Sequence, residues 1–307
     1  MTLTRALLAL LLTLPFAAAH AADTYTKTRY PVVLAHGMFG WDKLAGTVEY
    51  WYGIPAALGK GGTTVYTTQV GGLESSEARG EQLLTQVQDI LAISGADKVN
   101  LIGHSHGGHS VRYVGALIPN RIASVSTVGT PAQGSPVADL ILSAGESAPA
   151  VGSVAYLVLN AANDLLKLLT GDKTTSNAKA SIYSLSSRGS AEFTANYPQA
   201  MPSTPCGQGA AVVSGVRYYS WGSTSVRTNV LDPVDILFSI TSLAFKGAPN
   251  DGMVGQCSSH VGLVLRDNYK MNHFDQVNQF FGLRDIFGTD PVAVFREHGN
   301  RLKLAGL

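Results

Sequence analysis

The chain has 307 residues, 22 basic against 21 acidic side chains, a formal net charge of +1, and only 14% charged residues. A balance this even, with no block of like charge, excludes the electrostatic footprint of a nucleic-acid or acidic-polymer binder. Soluble proteins ordinarily carry about 25% charged residues, so this composition predicts apolar surface exposed somewhere on the fold.

Residues 1–22 read as a secretory signal. Arg5 gives a positive start, an apolar run follows to Ala19, and Ala19-His20-Ala21-Ala22 supplies small residues for cleavage. The apolar run falls short of the roughly 20 residues that a membrane span needs. Removing it leaves about 285 residues, enough for one large α/β domain, 23–307. Cys206 and Cys257 are the two cysteines; a chain that passes through an oxidising compartment is expected to pair them.

The remaining pattern alternates strands and helices, which predicts a mainly parallel sheet covered on both faces. Residues 31–35 form a first buried strand that ends in His36-Gly37-Met38-Phe39-Gly40. Residues 50–58 read as helix and 63–70 as strand. A long amphipathic helix follows over 74–94, with Leu83, Leu84, Val87, Ile90 and Leu91 on one face and Ser75 or Ser76 as its cap. A strand is expected at 123–128. Residues 148–169 are apolar and nearly uncharged at helical spacing, so they form either a core helix or a mobile cover over a site. Beyond them, 212–221 reads as one strand, 232–243 as helix or turn-helix, 250–252 as a tight turn and 261–266 as a short strand. Helices at 278–281 and 291–302 complete the chain.

The most informative stretch is Val99-Asn100-Leu101-Ile102-Gly103-His104-Ser105-His106-Gly107-Gly108. A β-branched and apolar run enters Gly-x-Ser-x-Gly, and helix-compatible residues 110–117 follow. This context makes the motif a nucleophile elbow, with Ser105 on a strained strand-to-helix turn. A serine hydroxyl needs a base to take its proton and a carboxylate to orient that base. In this architecture the partners follow in the order serine, acid, histidine. His106 and His109 lie on the elbow helix and cannot readily turn back, and His298 reads as a surface histidine of the last helix. His273, in the polar stretch 267–273 after the last strand, is the expected base, with His260 its competitor. Asp251, in the turn Asn250-Asp251-Gly252, is the expected acid by position; Asp232 and Asp235 are earlier candidates. The oxyanion donors are expected to be the backbone N–H groups of His106 and Met38, with the His36 side chain structural. Near His273, Asp275, Gln279 and the backbone of Leu283, together with Asp232, offer only oxygen ligands and so suit calcium, although scattered residues of this kind ordinarily form solvated loops.

At these residues the chain resembles the secreted bacterial triacylglycerol lipases of the true-lipase family I, close to the Pseudomonas type. The matching segments are Tyr30 to Met38, Val99 to Gly108, Arg266-Asp267-Asn268-Tyr269 and Met271-Asn272-His273, in that order. The resemblance implies an α/β-hydrolase fold with a helical lid at 148–169, and hydrolysis of long-chain acylglycerols by a triad of Ser105, Asp251 and His273. Oxyanion donors Met38 and His106 and a Cys206–Cys257 disulfide are also implied. So is one structural calcium on Asp232, Asp275, Gln279 and the Leu283 carbonyl. It further implies a monomer that acts at a lipid–water interface, assisted by a dedicated foldase and exported through the periplasm to the extracellular medium. A carboxylesterase of soluble short-chain esters and a non-catalytic hydrolase-fold binding protein are the competing readings.

Overall fold

The computed structural model describes residues 23–44, 47–149, 152, 153, 156, 159, 160, 163, 164, 167, 171–232 and 234–307. The signal assignment at 1–22 therefore lies outside the described residues. So does much of the 148–169 stretch, whose described residues from Gly152 to Lys167 are helical.

The strands are β1 (Val32–Ala35), β2 (Lys43–Leu44), β3 (Val48–Glu49), β4 (Val65–Thr67), β5 (Val99–His104), β6 (Ile122–Val128), β7 (Val212–Val213), β8 (Val216–Ser223) and β9 (Leu263–Tyr269). Among the described residues seven of them form one sheet in the order β4-β1-β5-β6-β8, with β7 and β9 both on the outer side of β8. Every pairing in it is parallel except β7 with β8. The short β2–β3 pair stands apart.

A parallel sheet has to be covered on both faces, so its central strands are buried throughout rather than alternating between core and solvent, polar residues such as Asn100, Ser124 and Ser126 included. β1, β5 and β6 are buried at every residue. Val33, Ala35, Leu101 and Val125 point into a core shared with Leu83 and Val87 of the helix Ser76–Ser94 and Val111 and Val114 of the helix His106–Leu117. Val32, Leu34 and Ile102 face the other way, onto Ile54 and Leu58 of the helix Ile54–Lys60 and Phe295 and Leu302 of the helix Pro291–Leu304. Ser75 caps the long helix, its side chain accepting from the Ala78 N–H at 3.2 Å.

Four local expectations change. The 50–58 helix starts only at Ile54, after Gly53. The single strand at 212–221 is a hairpin, because Ser214 and Gly215 take successive positive φ values of 50° and 79° and reverse the chain. β9 extends to Tyr269, absorbing residues that read as a polar loop, since edge strands tolerate polar side chains on their open face. The segment 278–281 is not a regular helix, since Asn278, Phe280 and Phe281 all have positive φ.

Candidate active site

The parallel strands all deliver their carboxyl ends to one rim, and the expected site residues follow those ends. Ser105 leaves β5 with φ 55° and ψ −125°, a strained conformation for a residue with a side chain. The turn is so tight that a Cβ on Gly103 would lie 2.2 Å from the Gly107 carbonyl oxygen. A Cβ on Gly107 would lie 2.3 Å from the Ala35 carbonyl oxygen, so the motif needs glycine two residues to either side of the serine.

Asp251 and His273 come together from separate excursions, after β8 and after β9. The Asp251 carboxylate is 1% exposed and receives the imidazole Nδ1 of His273 at 2.8 Å on Oδ2. The Gln276 amide donates to the same oxygen at 2.7 Å. Its Oδ1 takes the N–H groups of Met253 and Val254 at 2.9 and 2.7 Å. The backbones lock as well, with the His273 N–H donating to the Asp251 carbonyl at 2.9 Å. A bond from the carboxylate to Nδ1 leaves Nε2 as the nitrogen free to accept a proton.

His260 forms a different pair. Its ring bonds the Gly207 carbonyl at 2.9 Å and the Asp267 carboxylate at 3.1 Å, tying the 207 loop to β9. His298, expected on the surface, is fully buried: its Nε2 meets Ser126 Oγ at 2.9 Å and its ring packs on Tyr219 and Trp221. Burial, then the Arg301 charge, lowers its pKa to about 3. The apolar stripe of the last helix includes this histidine, which composition alone did not reveal.

The loop after β1 runs against the nucleophile. A Cβ on Gly37 would lie 2.8 Å from Ser105 Cβ. The Gly37 carbonyl accepts from His36 Nδ1 at 2.9 Å and from Arg79 Nη2 at 3.1 Å. In a trans peptide the N–H points opposite to the C=O, so these two donors fix the direction of the Met38 N–H. His106 opens its helix, so its N–H has no carbonyl partner within the helix. Arg79 also donates to the His36 carbonyl at 2.6 Å and is completely buried. Burial lowers its pKa to about 10. Its position four residues before Leu83, on the apolar stripe, was a visible signal; Gln276 gave none.

An apolar cleft of about 300 Å³ opens beside this loop, lined by Met38, Trp41, Tyr52, Phe274, Phe280 and Phe281. Cys206 and Cys257 are joined in a disulfide with Cα atoms 4.7 Å apart. Asp232 and Asp275, both buried, converge on Asn272, whose side-chain amide lies 3.4 Å from Asp232 and whose N–H donates to Asp275 at 3.0 Å. Burial, with the charges of Asp232 and Asp235 adding to it, raises the Asp275 pKa to about 6. Asp235 is satisfied by the N–H groups of Thr228 and Asn229. Gln279 does not join the two aspartates through its amide nitrogen, which donates instead to the carbonyls of Glu49 and Tyr50. Leu283 N–H bonds the Phe280 carbonyl. Among the described residues no group of three or more acidic, histidine or cysteine side chains is arranged to hold an ion.

A nucleophile elbow at the rim of a parallel sheet, with a buried Asp–His pair held against the residue before the serine, defines an α/β hydrolase, and the family model described as alpha/beta hydrolase fold matches residues 30–249. Staphylococcus hyicus lipase has the same fold, with a TM-score of 0.60 at 16% identity over 91% of this chain and 98% of that one. A triacylglycerol lipase of Vibrio cholerae is 48% identical over 94% of this chain and 93% of its own length. The triacylglycerol lipase of Pseudomonas fragi is 38% identical over 93% of this chain and all of its own. The chain belongs to the bacterial triacylglycerol lipases of the α/β-hydrolase family. No helix among the described residues is long and apolar enough to cross a membrane.

Proposed function

We propose that the protein is a secreted lipase that hydrolyses acylglycerol esters through a Ser105 acyl-enzyme. The observation that carries this is the buried Asp251–His273 pair at the same rim as the strained Ser105. Ser105 Oγ attacks the ester carbonyl carbon while His273 Nε2 takes its proton. The oxyanion that forms is held by the Met38 and His106 N–H groups, donors of a kind worth about 10²–10³-fold each. Collapse breaks the C–O bond to the alcohol, which leaves with the proton from His273. Water then repeats the sequence on the acyl-serine and releases the fatty acid. The apolar cleft beside Met38 supports an acyl or glyceride chain as the group bound next to the reacting carbonyl.

Asp232 and Asp275 fit a hard cation, since two buried carboxylates side by side are unfavourable without compensating charge. Calcium there, with Gln279 and the Leu283 carbonyl as further oxygen donors, would tie the base loop to the segment before the acid, with no part in the chemistry. Residues 1–22 act as an export signal, 148–169 as a lid, and the mature protein works as a monomer folded with a foldase's help. The names of the lipase relatives support the lipid substrate.

The decisive experiment is Ser105→Ala. The folded variant should lose ester hydrolysis by several orders of magnitude and resist labelling by a serine-directed phosphonate. Near-normal turnover would overturn the mechanism. Turnover of tributyrin and triolein above and below their solubility limits separates a lipase, whose rate rises when droplets form, from an esterase of dissolved esters.

A further inference from the structure

Tyr50 and His104 lie in the middle of the site, fully buried, yet the reaction sequence gives neither a step. The Gly37 N–H contacts Tyr50 Oη at 3.2 Å, Tyr50 Oη meets His104 Nδ1 at 2.6 Å, and His104 Nε2 meets the His273 carbonyl at 3.0 Å. The direction of every bond in this series is fixed by its ends. A carbonyl only accepts, so His104 Nε2 carries the proton. Burial, followed by the neighbouring His273, holds the His104 pKa well below its ordinary value, so the ring is neutral and Nδ1 accepts. Tyr50 must then donate its O–H to Nδ1, leaving its oxygen to accept the Gly37 N–H.

We propose that Tyr50 and His104 are positioning residues that couple the oxyanion loop to the catalytic base. The inference rests on the reading of Ser105, Asp251 and His273 as a triad. At one end, the bond to Gly37 N–H pins the peptide adjoining the one that carries the Met38 donor. At the other, His104 holds the His273 carbonyl while Asp251 holds the His273 N–H, so the backbone of the base is clamped on both sides. His104 is also the residue before Ser105, which puts the clamp one peptide from the nucleophile. Tyr50 itself has no slack: its ring packs edge-on against Trp41 and Trp51, and Gln279 grips its carbonyl. Met38, Ser105 and His273 are therefore spaced by one unidirectional hydrogen-bond series rather than by three independent loops.

The test compares Tyr50→Phe, His104→Gln and His104→Asn in the secreted full-length enzyme. Rates on a soluble chromogenic ester are expressed per active site titrated with a phosphonate, so that misfolded protein drops out. Glutamine carries an amide N–H about where imidazole Nε2–H lies, whereas asparagine carries its amide about where Nδ1 lies. Small misplacements of reacting groups reduce rates by up to about 10²-fold. We expect Tyr50→Phe and His104→Asn to lose about that much kcat per titrated site, with KM within about twofold of wild type. His104→Gln should recover about tenfold of the loss seen with asparagine. A purely structural role would lower yield and melting temperature in all three while leaving kcat per site unchanged, and that result would overturn the proposal. Equal rates for His104→Gln and His104→Asn would overturn it as well. Failure here with an inactive Ser105→Ala enzyme would remove the coupling and leave the triad standing.

Discussion

Asp251→Asn isolates what the buried carboxylate does for the base. The wild-type group accepts four hydrogen bonds, two from backbone N–H groups on Oδ1 and two from His273 and Gln276 on Oδ2. An asparagine oxygen can satisfy the two backbone donors only by turning its NH₂ toward His273 Nδ1 and Gln276 Nε2, donor against donor. Gln276 can answer by rotating its amide, because its Oε1 has no partner among the described residues. The imidazole can answer only by moving its proton to Nε2, where it faces the nucleophile as a donor and cannot accept the serine proton. The fold should survive while the base is held in the wrong tautomer. A substitution of this kind in a Ser-His-Asp triad lowers kcat by about 10⁴. At about 1.36 kcal/mol per tenfold, that is about 5.4 kcal/mol of transition-state stabilisation. Steady-state rates on a soluble ester, with phosphonate titration to count sites, would measure it, and KM should stay near wild type. Activity within tenfold of wild type would refute the argument. His260→Ala is the matched control, removing a second His–Asp contact that should affect stability and spare turnover.

Reducing the Cys206–Cys257 bridge, which closes a separation of 51 residues, should remove about 4 kcal/mol of stability by the chain-entropy estimate. Heat resistance should fall well before turnover does, and two free thiols in the unfolded, unreduced protein would contradict this. Chelation should lower the melting temperature, by linkage of an ion bound only to the folded state, and Asp275→Ala should no longer respond to added calcium. Identical melting curves in chelator and in millimolar calcium would leave the aspartates as an ion-free pair. Acid should destabilise the fold through His36, His109 and His298, whose pKa values burial drops from 6.5 to about 3. Below about pH 6.5 the unfolded chain takes up protons that the folded chain refuses. Stability present above that pH is then lost toward pH 3, by about 1.4 kcal/mol per histidine per pH unit. A urea midpoint that does not change between pH 7 and pH 5 would contradict it.

The local sequence determined those features whose physics is local. Gly103, Ser105 and Gly107 within a strand–turn–helix pattern specify the elbow because the turn admits no Cβ two residues to either side of the serine. An apolar run at 32–35 and valine- and isoleucine-containing stretches at 99–104 and 122–128 specify the central strands, whose burial on both faces also takes in Asn100, Ser124 and Ser126. Chain order and position after the late strands then favoured Asp251 and His273 over Asp232, Asp235 and His260, and the fold joins the favoured two at 2.8 Å. What the sequence could not express is convergence between segments far apart in the chain. Periodicity places Arg79 on the apolar stripe of its helix but does not say that it turns the Gly37 peptide, and nothing along the chain marks Gln276 as the second donor to Asp251. Nothing local links Tyr50, His104 and His273 either, since they are separated by 54 and 169 residues and meet only once β1 and β5 lie side by side. His298 shows the same limit from the other side: its helix reads as amphipathic in either environment, and only the packing of Trp221 and Ser126 against it decides that the histidine is core. Backbone sterics and hydrophobic pattern are written along the chain, whereas the partners of a buried polar group depend on which surfaces the finished sheet brings together.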